Sequence, residues 1–103
     1  MNHQRIRVYY EDTDAGGVVF YANYLKYIER GRTEYLRELG FEQASLAKQH
    51  NIVFVVRTVT ADYLSPAYLD DVIEVQTSIN LLKNVSLVFA QKILNIEKNT
   101  VLF

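Results

Sequence analysis

Asp12 and Asp14 place two carboxylates one residue apart within Tyr10-Glu11-Asp12-Thr13-Asp14-Ala15-Gly16-Gly17-Val18-Val19-Phe20-Tyr21-Ala22-Asn23-Tyr24. A Gly-Gly turn follows them, and apolar and aromatic residues then run into a helical pattern. A carboxylate facing a helix N-terminus across a tight turn can activate water or attack a carbonyl. Backbone N–H groups at that terminus can hold the oxyanion that develops. Nine aromatic or aliphatic residues lie between Val18 and Ile28, so one carboxylate is expected to face an apolar wall. A carboxylate so placed has a raised pKa or a partner. The same D-x-D-x-x-G spacing occurs in calcium loops, but such a loop needs a bidentate Glu at its twelfth position, which here is Asn23. Asp-rich loops also make turns and cap helices without any chemistry.

Other centres are weaker. His3 and His50 stand too far from other ligand types for a metal site or a triad, and read as surface histidines. No G-x-S-x-G elbow, Walker loop, Rossmann glycine set or H-E-x-x-H occurs. Asp70 and Asp71 precede a strand and read as a solvated turn. Glu29, Arg30, Arg32 and Glu34 read as a salt-bridged helix face close enough to the Asp14 loop to serve it. The chain has no cysteine, which removes thiol nucleophiles, disulfides and thiolate metal sites and fits a reducing cytoplasm. No metal and no cofactor is expected.

The elements that position these residues follow from patterning. Half of the 103 residues are hydrophobic, enough for one core and one domain over residues 1–103, with a margin thin enough that oligomerisation would help. Eleven basic and twelve acidic residues leave a net charge of −1, so no whole-domain field attracts nucleic acid or an anionic membrane. The polar N-terminus leads straight into a strand pattern, not a signal peptide, and no apolar run approaches the roughly 20 residues of a membrane span. Ile6, Val8 and Tyr10 alternate with Arg5, Arg7 and Tyr9 as a short strand. Leu25, Ile28, Tyr35, Leu36 and Leu39 recur at helical spacing, and Gly40 ends that helix. Gly31 falls on the apolar stripe, where it costs roughly 1 kcal/mol against Ala, so the helix is expected to approach a sheet closely there. Phe41 to Gln49 adds one or two helical turns.

Ile52 through Tyr63 is apolar on both faces and reads as a strand, closed by a turn at Leu64-Ser65-Pro66-Ala67. Ile73, Val75, Thr77, Ile79 and Leu81 alternate with polar residues as a half-exposed antiparallel strand. Lys83-Asn84 reads as a turn, Val85 to Ile96 as a strand, Glu97-Lys98-Asn99 as a turn, and Thr100 to Phe103 as a further strand. One strand, one long helix and several meandering strands predict an α+β domain whose antiparallel sheet wraps a single helix.

Tyr10 to Leu25, with Glu29-Arg30-Gly31-Arg32-Thr33-Glu34, closely resembles the 4-hydroxybenzoyl-CoA thioesterase family. Within it, Tyr63-Leu64-Ser65-Pro66-Ala67 followed by Asp70-Asp71 resembles the second motif of the bacterial Tol–Pal-associated acyl-CoA thioesterase branch. The resemblance implies a hot-dog fold, an antiparallel sheet around one long central helix. It implies homodimers joined sheet edge to sheet edge, commonly paired into homotetramers, with active sites at the dimer interface. Asp14 falls on the family's catalytic aspartate, nucleophile or general base, which leaves Asp12 as a loop-shaping residue. Tyr21 falls where a backbone N–H at the helix start polarises the thioester carbonyl. Many members of the Tol–Pal branch have His in place of Tyr21, whereas members acting on aromatic substrates have Tyr. The family also adds a final strand segment beyond Phe103, so the domain is expected to lack it.

The implied reaction is hydrolysis of an acyl-CoA thioester to free acid and CoA. Gly17, Phe20 and Tyr24 are candidates to line the acyl pocket, and Lys83 and Arg57 to meet the CoA phosphates. Rival readings are a dehydratase, or a thioesterase acting on acyl carrier protein, and a non-catalytic acyl-CoA sensor or assembly partner at the cell envelope. The hydratases of this fold rely on a paired His and acidic residue, and no His lies near Asp14 in the chain.

Overall fold

The computed structural model describes residues 1–51, 53–82 and 86–103. Four strands, β1 (Asn2–Arg7), β2 (Val72–Leu82), β3 (Leu87–Asn95) and β4 (Thr100–Val101), form one antiparallel sheet in sequence order. Two helices, α1 (Asn23–Glu38) and α2 (Gln43–His50), occupy the connection between β1 and β2. The expected α+β order of one strand, a long helix and a strand meander is what forms. Ile52, the Lys83-Asn84 turn and Val85 lie outside the described residues.

Registers Ile6↔Ile73 across β1 and β2, and Val75↔Ile93 across β2 and β3, align apolar residues on one face. Ile73, Val75, Thr77 and Ile93 are fully buried there, with Val8 beside them. The strand expected to run to Tyr10 ends at Arg7. Val8 still pairs with the Asp70–Asp71 backbone, and then a single 3-10 turn over Tyr10–Asp12 leaves Tyr10 81% exposed.

Helix α1 packs on the inner face, rotated from the expected stripe. Its buried residues are Tyr24, Tyr27, Ile28, Gly31 and Leu36, whereas Leu25 and Leu39 are exposed. Tyrosine carries a ring large enough to fill the helix–sheet gap, so the three-and-four spacing from Tyr24 through Gly31 decides the face. The close approach expected at Gly31 is present. A Cβ there would stand 2.6 Å from Val75 Cγ1, 2.9 Å from Thr77 Oγ1 and 3.1 Å from Gln91 Nε2. The Gln91 amide donates to both the Ile28 carbonyl and Thr77 Oγ1 at 2.9 Å, pinning helix to sheet where they are nearest. Gly40, at φ +95°, closes α1 as expected: its N–H reaches the Arg37 carbonyl and the Phe41 N–H the Leu36 carbonyl.

Two expectations need correction. Residues 53–64 form no regular strand, and Val53, Phe54, Val55, Val56 and Val59 are exposed. β-branched residues favour an extended chain, but a strand needs a ladder partner, and among the described residues this segment has none. Glu74, on the face of β2 away from α1, is buried and not solvated. Its carboxylate accepts from Gln76 Nε2 at 3.0 Å, meets His3 Nδ1 at 2.7 Å and lies 3.8 Å from Arg5 Nε. These contacts, the Gln76 bond foremost, hold its pKa below the usual carboxylate range. His3 is therefore exposed but paired.

Candidate active site

Backbone bonds shape the Asp12–Phe20 segment into a clasped turn. The Asp14 N–H donates to the Val18 carbonyl at 2.9 Å, the Gly17 N–H to the Asp14 carbonyl at 3.0 Å, and Thr13 bridges Val19. Gly17 sits at φ +80°, which a side chain would strain. The Asp14 carboxylate turns back on the loop, where Oδ1 accepts the Gly16 N–H at 2.8 Å. A Cβ on Gly16 would stand 3.2 Å from that oxygen, so the pair of glycines makes both the turn and the room beside it. Among the described residues Oδ2 has no partner. The side chain is thus oriented by one oxygen and free to act through the other. Asp14 is exposed in the single chain, so the expected apolar wall does not stand beside it.

Asp12 has a different setting. Its Oδ2 accepts the Tyr9 N–H at 2.9 Å, and its carbonyl accepts the Phe20 N–H and Asn23 Nδ2, each at 2.9 Å. It ties the end of the loop to the start of α1, which suits a loop-shaping role. The buried Tyr27 hydroxyl lies without a hydrogen-bond partner among the described residues. Burial, reinforced by the Asp12 carboxylate, pushes its pKa well above the ordinary phenol range.

Tyr21 and Ala22 stand at the mouth of α1. The first turn of the helix has no acidic residue, and its N-cap, Ala22, offers no capping side chain. Among the described residues the Tyr21 and Ala22 N–H groups have no acceptor. Uncapped N–H groups at the positive end of a 16-residue helix favour an anion or a developing oxyanion.

The motif at Tyr63–Ala67 docks directly on this turn. The Val19 N–H donates to the Ala67 carbonyl at 2.9 Å, Val18 bridges Tyr68, and the Tyr63 hydroxyl donates to the Tyr21 carbonyl at 3.0 Å. The Ala67 N–H donates to the Tyr24 hydroxyl at 3.1 Å. Tyr24 is buried, stacked on Phe103 with centroids 5.4 Å apart, and burial raises its pKa although the Ala67 bond opposes the shift. Asp70 and Asp71 form an ordered turn, Asp70 at φ +69° and Asp71 Oδ2 accepting the Tyr68 N–H at 2.9 Å.

Of the residues singled out from the sequence, Asp14, Gly17, Phe20 and Tyr21 are gathered around one exposed turn, while Tyr24 lies beneath it in the core. Arg57 is exposed in the 53–64 segment, and Lys83 lies outside the described residues. Glu29, Arg30, Arg32 and Glu34 do not bridge one another. Glu29 accepts from Thr33 Oγ1 at 2.6 Å, Glu34 pairs with Arg37, and Arg32 reaches Gln91 Oε1 at 3.5 Å. Leu25, Lys26, Glu29, Arg30 and Arg32 instead border an open groove of about 500 Å³ along α1. The contribution of Tyr63 was missed from sequence, since a residue so distant in the chain reaches Tyr21 only through tertiary contact. Its one visible signal was membership of the second motif.

The sequence profile of the thioesterase superfamily matches residues 16–102. The chain belongs to this superfamily. It is 53% identical over 97 residues to an acyl-CoA thioester hydrolase named YbgC from Escherichia coli, covering 94% of this chain and 71% of that protein. The crystal structure of a "Probable Thioesterase" from Bartonella henselae superposes with a TM-score of 0.91 at 36% identity, covering 98% of this chain and 82% of that one. The 4-hydroxybenzoyl-CoA thioesterase of a Pseudomonas strain has a TM-score of 0.84 over 89% of this chain and 68% of its own, at 22% identity, and shares the fold. The family resemblance carried by the two motifs is thus borne out, as is the hot-dog fold. Within the superfamily's architecture, the Asp14 turn lies at the mouth of α1, the long helix on which the sheet packs.

Proposed function

We propose that the protein hydrolyses an acyl-CoA thioester to a carboxylic acid and CoA. The observation that carries this reading is the free Oδ2 of Asp14 on a clasped turn that leads directly into the unfilled N–H groups of Tyr21 and Ala22 at the mouth of α1. Thioesters are activated acyl groups, so one carboxylate and one or two backbone donors are enough. Asp14 either takes a proton from water as the water oxygen bonds to the carbonyl carbon, or bonds to that carbon itself to give an anhydride that water then opens. In both courses the carbonyl oxygen gains charge facing the Tyr21 N–H, the C–S bond breaks, and the CoA thiolate leaves and takes up a proton. Gly17, Phe20 and Tyr24 line or floor the acyl site, the first two at the surface and Tyr24 from below.

The 53% identity to a named acyl-CoA thioester hydrolase supports CoA as the carrier. A cytoplasmic location and a link to the Tol–Pal system belong to the same reading, with acyl carrier protein as the rival donor. So do homodimers built through the sheet edge and assembled into homotetramers. The exposed apolar residues Val53–Val56 and Val59 support a partner strand, which the proposed dimer would supply.

Thiol release measured over short aliphatic, long aliphatic and aromatic acyl-CoA donors tests the reading. Asp14→Asn should lower kcat by about 10²-fold or more, with the thermal midpoint unchanged, because the amide oxygen still accepts from Gly16. Wild-type turnover in that variant would remove Asp14 from the chemistry. Tight binding of donors without release from any of them would make the protein a sensor.

A further inference from the structure

We propose that Tyr63 is a positioning residue for this hydrolysis, its hydroxyl fixing the Tyr21 peptide so that the neighbouring N–H groups meet the thioester oxygen. The inference rests on the hydrolase reading and adds to it a group from a remote part of the chain.

The peptide plane before Tyr21 is already held. The Phe20 carbonyl, which shares that plane with the Tyr21 N–H, accepts the Asn23 N–H at 2.9 Å. The plane after Tyr21 is held by one bond among the described residues, the 3.0 Å donation from Tyr63 Oη to the Tyr21 carbonyl. With both planes fixed, the Tyr21 N–H cannot rotate away from its aim. The same bond polarises the Tyr21–Ala22 peptide, which makes the Ala22 N–H a better donor.

Tyr63 is itself pre-oriented. Its ring stands edge-on to Phe103 at 4.9 Å, to Tyr24 at 5.5 Å and to Tyr21 at 6.2 Å between centroids. The following Leu64 and Ser65 N–H groups both donate to the Leu102 carbonyl, at 3.0 and 3.2 Å. A donor held on three rings and a pinned backbone loses little further freedom when it bonds, which is what preorganised oxyanion stabilisation requires. A purely packing role would need the ring alone. The hydroxyl is the part that packing leaves unexplained.

The test compares kcat, KM and thermal midpoint for wild type, Tyr63→Phe and Tyr63→4-aminophenylalanine on the best acyl-CoA donor. Tyr63→Phe keeps the ring and removes the donor; kcat should fall about tenfold while KM stays within about twofold and the midpoint does not move. Tyr63→4-aminophenylalanine returns an N–H donor at the same place and should restore most of kcat. The second variant also carries the test if Tyr63→Phe fails to fold. Wild-type kcat in Tyr63→Phe, a rise in KM alone, a loss of kcat that tracks a lowered midpoint, or failure of the amino variant to recover would each overturn the proposal. Absence of release by the wild type from every donor would instead remove the hydrolase reading, and this proposal with it.

Discussion

Asp14 and Asp12 differ by two positions and by everything that touches them. One keeps a free oxygen on an exposed turn; the other is folded back onto Tyr9 and anchors Phe20 and Asn23. Sequence spacing alone could not divide them, because a D-x-D string is equally a turn signal. Backbone direction through Gly16 and Gly17 does. Glu74 makes a similar point about charge. Its alternation with Ile73 and Val75 put it on the polar face, and only the cross-strand register reveals His3 and Arg5, which bury it together with Gln76 two residues along β2. Because its folded pKa is depressed, its contribution to stability is present above the unfolded value, about 4.3, and is lost as pH falls through the folded value. Thermal midpoints should therefore fall more steeply on acidification in wild type than in Glu74→Gln, whose amide does not titrate. Equal slopes from pH 6 downward would show that the lowered pKa is not linked to folding.

Helix α1 shows how far patterning reads an element. Its length, its glycine stop and the sheet contact at Gly31 were all legible, since capping geometry and small-residue contacts leave local marks. Its azimuth was not: Leu25 and Leu39 matched the period but lost the core to Tyr24 and Tyr27. Gly31→Ala should lower stability by about 1–3 kcal/mol through overpacking, although the helix itself gains roughly 1 kcal/mol. The clash with Val75, fully buried and 2.6 Å from the added Cβ, decides the sign. Calorimetry on the variant would measure it, and a raised midpoint would mean that α1 can lift from the sheet at little cost.

At the scale of the molecule, the fold follows from the order of its elements, but the 53–64 segment does not become a strand by its own composition. Its apolar residues are the kind that complete a ladder, and among the described residues no strand pairs with them. The proposed dimer supplies one. Replacing Val55, 87% exposed, with Lys should shift the protein toward monomer at micromolar concentration and remove the concentration dependence of its melting temperature. Sedimentation would read the mass directly, and an unchanged assembly would place the interface elsewhere. If active sites form at that interface, as the family resemblance implies, the same variant should lose turnover as it loses mass.

The Leu102 carbonyl bears on a question that does not concern catalysis at all. The Asp14 turn closes through contacts a few residues apart and can form as soon as that stretch of chain exists. The bonds from Leu64 and Ser65 to Leu102 close across most of the second half of the molecule, and long closures come late in folding because their entropy cost precedes their reward. A nascent chain leaving the ribosome thus carries its carboxylate turn well before the aromatic brace that holds Tyr21 can lock. The order of synthesis and the order of assembly coincide, and the polypeptide completes the helix mouth only once Leu102 and Phe103 have been made.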